Sequence, residues 1–345
     1  MAAVNGSEIV PVWEDGVAYG SWPAPDLSQV RMLHQLFQPA QEVDGRWLSC
    51  GPTAPAPQDG RDLLASHFLR KTQDPGESER DRREFAAVAN LLDWEAHDEL
   101  VVLGRRYRVV RIERYCVFSG GLPEGPHAGD HPSAPVDAPP GYGTDLSRDA
   151  VTTRAATVLK DRLRDFVPGG GLMPREVTAD ALVRTALHRD LVLLPAGFQL
   201  VETRDAGRRW GILLDHHPSP QRAHDALLGH FEARFRTDVD WNDDTPAHVR
   251  DAYRRAHEAC ATDRMPTAVT VLDRTYRIAR TIPIVRHGID GPETPRDTDH
   301  DPYPPPAAQA QQAADEGQLT EHDDPDLIPP RPTPDDRRFL PGARP

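Results

Sequence analysis

Val102-Leu103-Gly104-Arg105-Arg106-Tyr107-Arg108-Val109-Val110-Arg111 returns 169 residues later as Val271-Leu272-Asp273-Arg274-Thr275-Tyr276-Arg277-Ile278-Ala279-Arg280, with six of the ten positions identical. Each copy reads as a turn followed by a strand rich in aromatic and β-branched residues. Downstream the same offset pairs Pro123-Glu124-x-Pro126 with Pro292-Glu293-x-Pro295, and Asp130-His131 with Asp299-His300. Upstream an offset of 163 lays Trp47–Lys71 on Trp210–Arg234 without a gap, with eight of 25 positions identical. Among these are Trp47/Trp210, Leu64/Leu227, His67/His230 and Phe68/Phe231.

The two blocks predict an α+β chain carrying one module twice. Phe198–Thr203 and Arg209–Leu214 read as a hairpin turning at Asp205-Ala206-Gly207, with Glu42–Cys50 around Asp44-Gly45 as a weaker counterpart. A helix follows each hairpin, entered in the second copy through Ser219 as N-cap and Pro220 as first helical residue. Second helices are expected over about 79–97 and 246–261, then hairpins turning at Gly104-Arg105 and Asp273-Arg274. The unit is therefore β-hairpin, two helices, β-hairpin, with the copies in a pseudo-twofold arrangement. The expected domains are 1–136, a connecting region 137–195 with helices at 144–166 and 174–188, 196–306, and a tail 307–345. A short helix is expected at 307–315, and from Glu316 the composition reads as disordered.

Composition fits folded modules diluted by connections. Thirty-five prolines occur in 345 residues, and the apolar share of 38% lies below the usual range of about 45–50%. The net charge is −14, of which −8 falls on residues 290–345. No basic run offers the concentrated field that phosphate backbones require, so nucleic-acid binding is not expected. Cys50, Cys116 and Cys260 show no CxxC spacing, which argues against a disulfide framework or zinc site and for a reducing, cytoplasmic setting. No apolar run approaches bilayer length, so no membrane partner is expected.

The tandem Trp-x₉-Pro-Gln, Val-Leu-x-Arg-x-Tyr-Arg, Pro-Glu-x-Pro and Asp-His-x-Pro pattern resembles an uncharacterised family of unknown function from Streptomyces-type actinobacteria. Some members carry a PE-PGRS-like label, which the absence of a glycine-rich repeat does not support here. The resemblance extends to about Pro306, and it implies no activity, cofactor or catalytic residue. The excess of arginine over lysine, 38 against 2, agrees with a high-GC coding bias.

The repeated polar residues are the candidate binding set: His67, Tyr107, Arg111 and Glu124, matched by His230, Tyr276, Arg280 and Glu293. An imidazole repeated at one helical position suits a ligand or a base, and equally a core histidine beside Leu and Phe. Tyr and Arg two turns of pleat apart share a strand face, so Tyr107/Arg111 and Tyr276/Arg280 suit a protein-contact patch or an ion pair with a returning Glu or Asp. Asp130-His131 and Asp299-His300 lack the further ligand a metal site needs. Asp238-x-Asp240-x-Asn242-x-Asp244 lacks the glycine and terminal glutamate of a calcium loop. Gly169-Gly170-Gly171 lacks the Lys-Ser/Thr of a phosphate loop. No catalytic residue, metal or cofactor is assigned. Two functions remain: a non-catalytic protein that binds a protein partner, and an enzyme or small-ligand binder with a polar pocket within or between the modules.

Overall fold

The computed structural model describes residues 27–127, 130, 141–150, 154–167, 174–204, 209–236, 245–261, 266, 268–318 and 328–342. Among the described residues, thirteen strands form a single antiparallel sheet, accompanied by seven α-helices.

The first half begins with β1 (Val30–Met32), then the hairpin β2 (Leu36–Val43) and β3 (Arg46–Cys50). Asp44 and Gly45, at φ +51° and +72°, supply the two left-handed positions of its tight turn. Helix α1 (Pro57–Thr72) starts on a proline whose missing N–H costs nothing there. Helix α2 (Glu79–Trp94) is capped by Ser78, whose hydroxyl accepts from the Asp81 amide at 3.1 Å. Strands β4 (Glu99–Val102), β5 (Arg105–Ser119) and β6 (Leu122–Pro123) follow. The connection supplies β7 (Tyr142–Asp145), α3 (Arg154–Leu163) and α4 (Arg175–Leu187). The second half runs β8 (Asp190–Leu193), β9 (Gly197–Arg204), β10 (Arg209–His217), α5 (Pro220–Phe235), α6 (Ala247–Cys260), β11 (Ala268–Val271), β12 (Arg274–Gly288) and β13 (Gly291–Pro292). Helix α7 (Pro306–Asp315) closes the series.

The two 15-residue strands β5 and β12 lie side by side at the centre of the order β10-β9-β12-β5-β2-β3-β7. Arg114 opposes Pro283, flanked by Glu113–Ile284 and Tyr115–Ile282. Arg114 and Pro283 are themselves 169 positions apart, so the flanking pairs interchange under that offset. Other registers follow suit. Tyr107 faces Leu100 as Tyr276 faces Val269, and Phe37 faces Arg111 as Phe198 faces Arg280. Each half has its own core beneath its helix pair. Leu64, Phe68, Phe85 and Tyr107 build one, and Leu227, Phe231, Tyr253 and Tyr276 the other. A third cluster joins α3 to the central strands through Leu159, Leu163, Tyr115 and Ile284.

Several expectations shift. Both second hairpins turn one residue early, at Leu103-Gly104 and Leu272-Asp273, with Leu103 and Leu272 at φ +51° and +55°. Of the helix expected over 144–166 the described part is Arg154–Leu163, and Tyr142–Asp145 is taken up as a strand against β3. Leu191–Leu193, placed in the connecting region, pairs with β12. The poly-glycine at 169–171 and the acidic run at 238–244 lie outside the described residues. Disorder from Glu316 onward is corrected for 328–342. This stretch returns to α2, where Arg338 meets Glu84 at 3.1 Å and Arg337 meets Glu95 at 3.0 Å. Phe339, 2% exposed, completes the first core. Acidity and proline content argue for disorder, whereas the segment is held by its buried ring together with hydrogen bonds and ion pairs to α2 and its end.

Phe339→Ala is therefore expected to destabilise the whole chain by roughly 3–5 kcal/mol, as for a core phenylalanine. Urea unfolding measures this, and a loss of less than about 1 kcal/mol would place the ring outside the core.

Candidate functional site

The eight repeated polar residues divide into two kinds of place. His67 and His230 sit on the sheet-facing sides of α1 and α5, against Tyr107 and Tyr276 with ring centroids 5.9 and 5.5 Å apart. Phe68 and Phe231 meet the same tyrosines edge-on at 4.8 and 5.2 Å. Burial, then Arg70 and Lys71, push His67 down to about 4. Burial, then Arg234, do the same for His230. Both imidazoles are therefore neutral near pH 7. One difference separates the clusters. Tyr253 Oη lies 2.8 Å from Tyr276 Oη, whereas in the first cluster the second helix brings Phe85, stacked on Phe68. These are core aromatics, and the tyrosines are wholly buried.

The arginines and glutamates lie where the halves meet, and each half grips the terminal hairpin of the other. The Arg111 amide donates to the Glu293 carbonyl at 2.8 Å, and the Arg280 amide to the Glu124 carbonyl at 2.7 Å. Arg111 Nε donates to Asp299 at 2.9 Å, and Arg280 Nε to Asp130 at 3.0 Å. Arg108 donates to the Pro292 carbonyl, and Arg277 to that of Pro123, both at 2.6 Å. Trp210 Nε1 donates to the Gly121 carbonyl at 3.2 Å. Trp47 lies under Gly291, where an added Cβ would come within 2.8 Å of its Nε1, and φ of +123° favours glycine. The arginine–aspartate pairs thus tie loop to strand across the halves rather than within one.

One side carries more charge than the other. Glu113, almost fully buried, takes Arg286 at 2.9 Å, Arg111 at 3.0 Å, Arg296 at 3.3 Å and the Tyr115 hydroxyl at 2.7 Å. Despite burial, these cations hold its carboxyl down to about 2, Arg286 contributing most. Arg296 also grips Glu293 through two hydrogen bonds of 2.6 and 3.1 Å. Three guanidiniums and the carboxylates of Glu113, Glu293 and Asp299 balance in charge. At the matching positions of the other half stand Ile282, Val117 and His127, and the network shrinks to Arg280–Asp130 and a 3.0 Å His127–Glu124 pair.

This geometry does not form an open cleft. Tyr107, Arg111, Tyr276 and Glu293 are at most 2% exposed, and their charges are closed on one another. The strand face that carries Tyr107 and Arg111 is covered by helices and by the opposite hairpin. A family of unknown function, DUF5954, matches residues 22–302. The chain belongs to DUF5954. No curated protein and no solved structure matches it. The DUF5954 match takes in both halves and both hairpins, and ends before α7 and the returning 328–342 segment.

Other groups are placed as follows. Among the described residues no cluster of His, Cys, Asp or Glu could hold a metal ion. The three cysteines are free and buried, and burial raises each thiol pKa. No helix among the described residues is long and apolar enough to cross a membrane. Sequence reasoning missed Glu113, Arg286 and Arg296. None has an identical residue at the 169-residue offset, so the sequence repeat gave no signal for them.

Two outcomes follow for DUF5954 in this chain. Glu113→Gln leaves three buried arginines short of an anion and is expected to cost roughly 3–5 kcal/mol by urea unfolding. A loss below about 1 kcal/mol would show that the network relaxes around the amide. Histidines whose folded pKa lies near 4, below the ordinary value of about 6.5, stabilise the fold fully above pH 6.5 and lose that contribution as pH falls toward 4. Glu113 acts lower, its contribution fading from its ordinary 4.5 toward 2. Unfolding midpoints are thus expected to fall between pH 6.5 and 4, and His67→Gln/His230→Gln to flatten that slope. An unchanged slope would mean the imidazoles are solvated.

Proposed function

We propose that the two halves are copies of one ancestral module related by a pseudo-twofold axis at the Arg114–Pro283 pair, forming a non-catalytic cytoplasmic scaffold that binds a protein partner. The duplication reading is supported by the mirrored strand order and by the four reciprocal contacts between arginine or tryptophan and the opposite hairpin. What favours binding over catalysis is the closure of the repeated polar set: its charges hold the halves together, leaving none aimed at a reacting atom.

The surface that suits a protein partner is apolar. Leu182, Val183 and Leu187 on α4 are 57%, 58% and 62% exposed, and Ile289 in the β12–β13 turn is wholly so. Leu187 and Ile289 flank one cavity of about 250 Å³, which brings the helix and the turn onto one patch. Grouped apolar side chains of this size mark interaction sites more often than isolated ones do. A second reading, a small-ligand site, rests on the same cavity, whose floor carries Glu99, Arg108, Arg184 and His188.

The test is paired capture on the full chain and on Leu187→Ser/Ile289→Ser. A stoichiometric partner retained by the former and lost by the latter is the expected result. Equal retention, or no partner at all, would remove the reading. A thermal shift with any metabolite or divalent metal, absent from an Arg184→Ala variant, would establish the small-ligand reading instead.

A further inference from the structure

The segment that follows the acidic run reads Ile328-Pro329-Pro330-Arg331-Pro332-Thr333-Pro334. Each residue before a proline is steered away from helix into extended backbone, so this stretch is stiff before it meets anything. It lies across the C-terminal end of α2. Trp94 Nε1 donates to the Pro329 carbonyl at 3.2 Å, and Asn90 Nδ2 donates to the Pro330 carbonyl at 3.1 Å. The Arg331 guanidinium stacks over the Trp94 ring, 4.8 Å from its centroid. Beside it a cavity of about 360 Å³ is lined by Gln311, Gln312, Asp315 and Glu316 of α7 and its end. Asn90 Oδ1, buried at the same place, has no donor.

Those parts are what recognition of a proline-rich chain needs. A tryptophan N–H reads a carbonyl of the proline run, its ring takes the arginine, and acidic side chains line the cavity beside them. We propose that the α2–α7 face is a recognition surface for arginine-bearing proline-rich segments. It is filled here by the chain's own Pro329–Pro332 and is open to the same sequence class on a partner protein. The proposal stands apart from the α4 patch and uses a different face. The occupant is displaceable because its anchor lies elsewhere: Phe339 is buried in the core, while Pro330 and Arg331 remain exposed. Tethered a few residues from that anchor, the internal ligand competes at high effective concentration, so a partner must bind well or be present in excess.

The experiment uses the full chain and a labelled peptide copying residues 328–334, followed by fluorescence anisotropy. Pro329→Ala/Arg331→Ala/Pro332→Ala vacates the face without touching Phe339. The peptide is expected to bind this variant about tenfold or more tightly than it binds the native chain. Replacing the peptide's arginine with glutamate, or adding Trp94→Phe, which keeps a ring but removes the N–H donor, is expected to lose at least about tenfold. Equal affinity for native and vacated chains, no binding to either, or indifference to Trp94→Phe would overturn the proposal. So would a native dimer in size-exclusion chromatography that the triple variant abolishes, since the occupant would then be a second copy. Trp94→Phe is checked by unfolding midpoint, and Asn90→Ala serves in its place if the ring substitution destabilises the chain.

Discussion

A guanidinium cannot be taken out of water without a carboxylate to meet it, and Arg111 lies in the middle of the sheet at 2% exposure. Its anions are Glu113, two places along the same strand, and Asp299, from the far end of the other half. That requirement fixes the rest. The β12–β13 hairpin and the turn after it must fold back over β5 for Asp299 to arrive, which carries Glu293 onto the Arg111 amide and Gly291 onto Trp47. Buried ion pairs are weak grounds for claiming stability, because desolvation offsets most of the attraction. Their use here is to specify: a β5 paired to any other strand, or out of register, would strand an arginine in the core.

The same logic accounts for the asymmetry. Arg286 bridges Glu113 to the carbonyls of Leu163 and Arg164 at the end of α3, at 2.9 and 3.0 Å. A cation at the C-terminal end of a helix is favourably placed, so the extra charge on this side also seats the connecting helix. The position 169 residues before it is Val117, paired to Val30 of β1.

Much of the fold could be read from residues whose partners are near in sequence. The Asp44-Gly45 turn, the Ser219-Pro220 helix start, and the Leu227/His230/Phe231 face each depend on local rules, and each stands where those rules put it. The contacts between halves were not legible. A strand sequence specifies its faces but not which distant strand will lie beside it, so β5 against β12 left no trace. A returning Glu or Asp is expected to meet an arginine, but which one stays open, because Asp130 and Asp299 lie 150 and 188 residues from the arginines they meet. Phe339 was invisible for another reason: a lone aromatic among prolines and acids has no periodicity to betray its burial. Of the candidate site, residue identities came from the repeat, while closure of their charges came from geometry alone.

The 188 residues between Arg111 and Asp299 also set a clock. At a synthesis rate of roughly 5–20 residues per second, the first half leaves the ribosome some 10–40 s before its counter-ion exists. During that interval Arg111 has only Glu113 for an anion, and the Ile112–Tyr115 stretch of β5 waits for the strand that will pair with it.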